Sequence, residues 1–285
     1  MIKNFLFLFA AMLISSSHIQ AQGKKEAKKT QESPVNSKPW EVTELYKTVK
    51  KVEPARSADG SQQVPGDAVV LFDGTDFNMW QKPKSKIVAS MTEFERVIPG
   101  MQSTYRSDPV GWKIIDQQVM EVVPGQGPIA SKQAFGDVQL HIEWLAPVAK
   151  GKEGQGYSNS GVFFMGLYEV QILNSYDNDT YANGQASAVY KQHIPLVNAS
   201  LPPDTWQTYD IIFMAPRFSD KGSLISPARL TVIHNGVLVQ NNVELLGPTC
   251  FIGTPYYIPH PDKLPLILQD HGDPIRFRNI WVREL

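Results

Sequence analysis

Thr231–Val239 reads TVIHNGVLV. Two short runs of branched aliphatic residues flank Asn235-Gly236, the dipeptide that best tolerates the two positive-φ positions of a type I′ turn. The reading is a β-hairpin, and the same pattern recurs on both sides of it. Upstream lie AVVLF before Asp73-Gly74, GWKII, QVMEVV before PGQG, VQLHIEWL, SGVFFMGLYEVQIL and TWQTYDIIFM; downstream lies IRFRNIWV. Roughly a dozen short runs, rich in β-branched and aromatic residues and punctuated by turn formers, predict an all-β, antiparallel sandwich or barrel. No long helical pattern and no internal repeat competes with that reading. A sandwich of two curved sheets would offer a ligand groove on one concave face.

The rest of the chain bounds the function. Its 285 residues and 42% hydrophobic content suffice for one sizeable core. With 27 basic and 28 acidic residues, the chain lacks the electrostatic footprint of a nucleic-acid binder. A small neutral partner is therefore expected. Lys3 followed by the apolar run Phe5–Ile14 and the polar SSSHIQAQ reads as an export signal over residues 1–21, with Ala21 the last residue removed; Ile19 is an imperfect fit to the small-x-small rule. That run is too short to span a bilayer, so no stable membrane insertion is expected after cleavage. The only cysteine, Cys250, forms no intrachain disulfide, and no cysteine follows the apolar run to carry a lipid. Cys250 itself reads as a buried thiol. A periplasmic or secreted protein follows. Residues 22–65, rich in Lys, Glu, Ser and Pro, read as a flexible extension in which Trp40–Lys51 could form one or two helical turns. Residues 66–285 form the single domain.

Parity assigns faces to the polar side chains, because successive residues of a strand point to opposite sides. Glu169 and Gln171 share a face with Leu167 and Leu173, opposite Tyr168, Val170 and Ile172. A carboxylate with such apolar flanks is partly desolvated, which raises its pKa and suits it to proton transfer. The strand VQLHIEWL places Leu140, Ile142 and Trp144 on the core face and Gln139, His141 and Glu143 opposite. His141-x-Glu143 would serve as a catalytic or metal pair, or as the polar side of any half-exposed strand. Near the C-terminus the apolar parity switches at Arg278-Asn279, which predicts a β-bulge. Before it, Gln269-Asp270-His271-Gly272-Asp273 forms a loop dense in donors and acceptors, where His271 can act as acid, base or ligand. The glycines of GQGYSNSG open no helix, so Asn159 and Ser160 hydrogen-bond a sugar hydroxyl or simply make the turn. Tyr190 and Lys191 belong to another polar cluster. Trp206 and Trp281 are available as stacking platforms, or as core.

The blocks LFDGTDFNMW, FGDVQLHIEW, SNSGVFF with YEVQILNS, VNASLPPDTWQTYDI, HNGVLV and LQDHGDPIRFRNIWVREL, in that order, resemble the 3-keto-disaccharide hydrolase domain family over roughly residues 67–285. The resemblance implies a concanavalin-like sandwich, a jelly roll as in lectins and glucanases, in an exported bacterial protein. It also implies action on a small carbohydrate, a 3-keto-glycoside. Glucanases of this general fold set two carboxylates on alternate positions of one strand. Here Glu169 is followed by Gln171, which argues against a two-carboxylate displacement. A 3-keto sugar permits another route, in which a base removes the proton on carbon 2, the aglycone leaves, and water adds. Glu169 is the first candidate base, His271 the second, and Glu143 a third catalytic candidate. Asn159, Ser160, Gln171, Tyr190, Lys191, Gln269 and Arg278 are the substrate-binding candidates. A divalent metal is a further candidate for stabilising enolate charge, although no spacing fixes a site for it. The competing reading is a lectin-like carbohydrate-binding module without catalysis.

Overall fold

A computed structural model describes residues 51–53, 63–83, 105–106, 109–116 and 118–285. The export signal expected over residues 1–21 and nearly all of the expected extension, including the turns expected at Trp40–Lys51 up to its last residue, lie outside these residues. The chain divides into two units, residues 1–51 and 52–285, and every strand named here lies in the second.

The strands are β1 (Val69–Phe72), β2 (Trp80–Pro83), β3 (Tyr105–Arg106), β4 (Lys113–Ile115) and β5 (Val119–Glu121). Next come β6 (Ile129–Phe135), β7 (Val138–Leu145), β8 (Asn159–Phe164), β9 (Tyr168–Leu173) and β10 (Trp206–Met214). The chain finishes with β11 (Arg217–Phe218), β12 (Leu224–Ser226), β13 (Arg229–His234), β14 (Val237–Glu244), β15 (Leu264–Leu268) and β16 (Arg276–Glu284). Two short 3-10 turns are the only helical elements among the described residues. An eight-stranded sheet runs β14-β13-β10-β7-β16-β5-β4, with β1 also paired to β16. A six-stranded sheet runs β3-β2-β6-β15-β8-β9. The pairings between named strands are antiparallel, so the molecule is the all-β sandwich the alternation predicted.

The alternation decides what lies between the sheets. Leu140, Ile142 and Trp144 of β7 join Tyr168, Val170 and Ile172 of β9 in one core, every one of them at most 1% exposed. Phe164 stacks on Phe213 across it, with ring centroids 4.8 Å apart. Each such side chain contributes about 2 kcal/mol by leaving water, which is what fixes strand register in a chain with no disulfide. Cys250 is buried, as expected.

Two turns set the hairpins that matter most. Asn235 and Gly236 hold φ of 51° and 79°, the type I′ geometry expected of that dipeptide. Between β8 and β9 the turn is Met165-Gly166, with φ of 56° and 67° and Leu167 N–H donating to Phe164 O. That hairpin sets Phe163 opposite Glu169 and Gly161 opposite Gln171. The bulge expected at Arg278-Asn279 is present: the β16–β7 register slips between Arg278 and Trp281, and Asn279 has φ of 48°.

Candidate active site

Because Tyr168, Val170 and Ile172 fill the core, Glu169 and Gln171 point out of the opposite face of the six-stranded sheet. A cavity of about 570 Å³ lies over them. The cavity forms because β9 is an edge strand that loops cover. Tyr190 N–H donates to Glu169 O and Gln171 N–H to Ala188 O, which lays residues 187–190 along the edge. This brings Tyr190 and Lys191 to the rim, with Lys191 held at φ of 63° and its N–H donating to Asn183 O. Along the same edge Thr249 Oγ1 accepts the Glu169 N–H at 2.9 Å, and Phe251, two residues on, reaches the cavity. The loop after β15 is pinned to β8, since Asp273 accepts the Asn159 N–H at 3.0 Å and pairs with Lys152. Asp270 accepts the N–H groups of Gly127 and Gly272. These bonds hold His271, itself exposed, on the cavity wall.

Among the described residues, Glu169 is the only carboxylate lining this cavity, and no cation pairs with it. Burial without a compensating charge pushes its carboxyl up to about 8. Its Oε1 lies over Gly161, where a β-carbon would come within 2.5 Å of it. Only glycine leaves that notch open. Burial also pushes the Tyr190 phenol up, and the hydrogen bond to Tyr181 adds to the effect. Lys191 Nζ sits 3.5 Å from the centre of the Tyr181 ring, a cation–π contact. One wall is thus amide and carboxyl, the other aromatic.

Most of the candidates meet here: Glu169, His271, Asn159, Gln171, Tyr190, Lys191 and Gln269 all line the cavity. Three do not. Ser160 points away from it, because on β8 it has the parity opposite to Asn159 and Gly161, and its hydroxyl donates to Gln269 O. Glu143 and Arg278 sit on the outer face of the other sheet, where Arg278 donates to Glu143 at 2.6 Å. Neither Trp206 nor Trp281 is a platform in the cavity. Trp206 lies under the Arg278 guanidinium and Trp281 stacks on His141. Gln155, Phe163, Tyr181, Thr249 and Phe251 complete the lining. Strand parity with Asn159 could have found Phe163. The others arrive on loops and carry no local signal. Among the described residues no three His, Cys, Asp or Glu side chains converge to hold a metal ion.

The family model described as 3-keto-alpha-glucoside-1,2-lyase-like domain matches residues 67–283. A solved structure named "putative glycosyl hydrolase" from Parabacteroides distasonis is 41% identical, covering 86% of this chain and 96% of that one, with a TM-score of 0.72. A second structure of that name and organism is 15% identical, covers 77% of this chain and 94% of that one, and has a TM-score of 0.51; that likeness concerns the fold alone. No curated protein matches the sequence.

Proposed function

We propose, for a chain that belongs to the 3-keto-alpha-glucoside-1,2-lyase-like domain family, that the cavity over β9 cleaves glycosides already oxidised at carbon 3. The relative from Parabacteroides distasonis, named as a glycosyl hydrolase, supports a carbohydrate-active hydrolase. The observation that carries the finer reading is Glu169, among the described residues a single buried carboxyl with no charged partner in a sugar-sized cavity. Two carboxylates flanking a glycosidic bond would support direct displacement, and among the described residues the lining holds only one.

A ketone at carbon 3 acidifies the proton on carbon 2. Glu169, ionised, takes that proton, with His271 the second candidate for the role. The electron pair forms an enolate, whose collapse expels the aglycone from carbon 1 as its alkoxide, which is protonated to the alcohol. Water then adds across the new double bond, and the sum is hydrolysis. Lys191 offers the cation that enolate charge asks for. Asn159, Gln269 and Tyr190 line the cavity, which supports a role in holding sugar hydroxyls, as the rings of Tyr181 and Phe251 in the same lining support one in covering the sugar or its aglycone. The N-terminal sequence supports action in the periplasm or outside the cell.

The lone carboxyl also favours a second reading, a carbohydrate-binding module without catalysis. Incubation of the purified protein with a 3-keto-glucoside and with its parent glucoside separates the two. The enzyme reading expects aglycone release from the ketone, little from the parent, and loss of release in Glu169→Gln. Release from the parent alone, or release undiminished in the variant, sinks it. Tight sugar binding by an inert protein establishes the module.

A further inference from the structure

Gln171 is 1% exposed, and acceptors flank its amide on both sides. On one side lie Gln155 Oε1 at 3.1 Å and Asn159 Oδ1 at 3.4 Å. Both are fixed as oxygens, because the Gln155 nitrogen donates to Gly184 O and the Asn159 nitrogen to Gln155 O, each at 2.8 Å. On the other side Ser160 O and Glu169 Oε1 each lie 3.1 Å from the amide. A side-chain amide has one donating and one accepting end, so Gln171 can donate to one side only. Whichever way it turns, its oxygen meets two acceptors unless one of them carries a proton. Of the four, Glu169 alone can carry one at ordinary pH.

With Glu169 protonated, its O–H donates to the Gln171 oxygen while the Gln171 nitrogen serves Gln155 and Asn159. With Glu169 ionised, the nitrogen is wanted on both sides, and a half-satisfied buried network is costly. Sugar hydroxyls can change that balance, since Gln155 and Asn159 both line the cavity. Resting on the reading of this cavity as a sugar site, we propose that Gln171 is a positioning residue that couples sugar binding to the charge of Glu169. In the free protein it accepts from the protonated carboxyl. When sugar hydroxyls donate to Gln155, Asn159 and the Gln171 oxygen beside them, the amide turns and donates to the carboxylate, whose proton passes to solvent, and the acid becomes the base.

The other groups around Glu169 leave this role to Gln171. Gly161 and Phe163 face it from β8, and Thr249 from the segment beyond β14; none of these titrates. Tyr190 and Lys191 approach from the covering segment, and His271 shares the cavity. Burial favours the protonated form in the same sense as the hydrogen-bond arithmetic.

The test follows the Glu169 carboxyl by NMR in protein labelled with carboxyl-13C glutamate, the signal being assigned by its loss in Glu169→Gln. In the free protein Gln155→Ala removes an acceptor from the far side and imitates the sugar. The Glu169 midpoint should fall by about one pH unit, and adding Gln171→Met should abolish that fall. An unmoved midpoint in Gln155→Ala overturns the proposal without any ligand. Saturation with 1,5-anhydroglucitol oxidised at carbon 3, which has no aglycone to lose, should lower the midpoint similarly in the unaltered protein and not in Gln171→Met. A fall retained in Gln171→Met overturns the coupling and leaves the proposed reaction standing. A probe that does not bind overturns both the sugar reading and the coupling.

Discussion

Strands β7 and β9 carry the same kind of sequence and arrive at opposite electrostatic outcomes. Each alternates large apolar residues with polar ones, and each turns a glutamate away from the core. Glu143 on β7 meets Arg278 at 2.6 Å and Asn279 at 3.0 Å, beside His141, which contacts Asp210 at 2.7 Å. Burial alone would raise Glu143, but these partners outweigh it and hold the carboxyl down at about 2. His141 shows the mirror image: burial pulls it down, while Asp210 and Glu143 lift it to about 9. Glu169 on β9 is as buried as Glu143 yet has no such partners among the described residues, and stands at about 8. The two acids differ by what their neighbours supply, not by their own strands. A paired charge is locked in one state and contributes to stability. A desolvated, unpaired one can change state near neutral pH, and that makes it the better candidate for chemistry.

The comparison breaks most decisively at Glu169. Glu169→Gln should lower aglycone release from a 3-keto-glucoside by about 10³-fold, measured as single-turnover product. The same variant should be more stable than the unaltered protein at pH 8, by up to about 4 kcal/mol in denaturant titration. The sign follows from a carboxyl raised above its unfolded value. The native state binds the extra proton between about pH 4.5 and about pH 8, so stability falls across that window as the pH rises. A variant that loses activity together with stability would reduce Glu169 to an ordinary structural residue.

Gly161→Ala probes the notch. Its β-carbon would crowd Glu169 Oε1 at 2.5 Å and Phe163 Cε2 at 2.9 Å. Displacement of the carboxyl by about 1 Å should cost about 10²-fold in kcat/KM, with the circular dichroism spectrum unchanged.

Glu143→Gln tests the opposite face. Removing the charge leaves Arg278 without this carboxylate while His141 keeps Asp210, and should cost about 2 kcal/mol of stability, with activity per folded molecule within about twofold of the parent. Charge in this cluster also sets a pH signature. The His141 contribution is complete below about pH 6.5 and is lost as the pH rises through about 9. The Glu143 contribution is present above about pH 4.5 and is lost as the pH falls through about 2. Thermal melts from pH 6 to pH 10 should lose the first of these in the unaltered protein and show little of it in His141→Asn.

The smallest effect is expected at the aromatic wall. Phe251→Ala should raise KM by no more than about tenfold, with kcat nearly unchanged. A larger fall in kcat would mean that Phe251 does more than cover the bound sugar.

Much of this architecture is legible in the chain itself. The hairpin at Asn235-Gly236, the bulge at Arg278-Asn279, and the faces of β7 and β9 follow from turn chemistry and a period of two, which are local rules. Seven of the candidate residues reach one cavity because parity and loop polarity are local as well. Parity cannot say which outer face of the sandwich is hollow. It therefore admits Glu143 and Arg278 as site residues although they pair with each other on the face of the other sheet, away from the cavity over β9. Ser160 fails for a simpler reason, since it sits at the wrong parity beside Asn159.

Taken alone, the sequence determined the β class, the alternation of each strand and the presence of a carboxyl followed two residues later by an amide. The tertiary structure decided the rest, because charge state depends on neighbours far away in the chain. Arg278 lies 135 residues from the Glu143 it neutralises. Thr249, 80 residues from Glu169, helps cover the edge strand that would otherwise expose that carboxyl to water. Pairing and desolvation act through space, so two similar strands became one salt-bridged wall and one candidate catalytic floor.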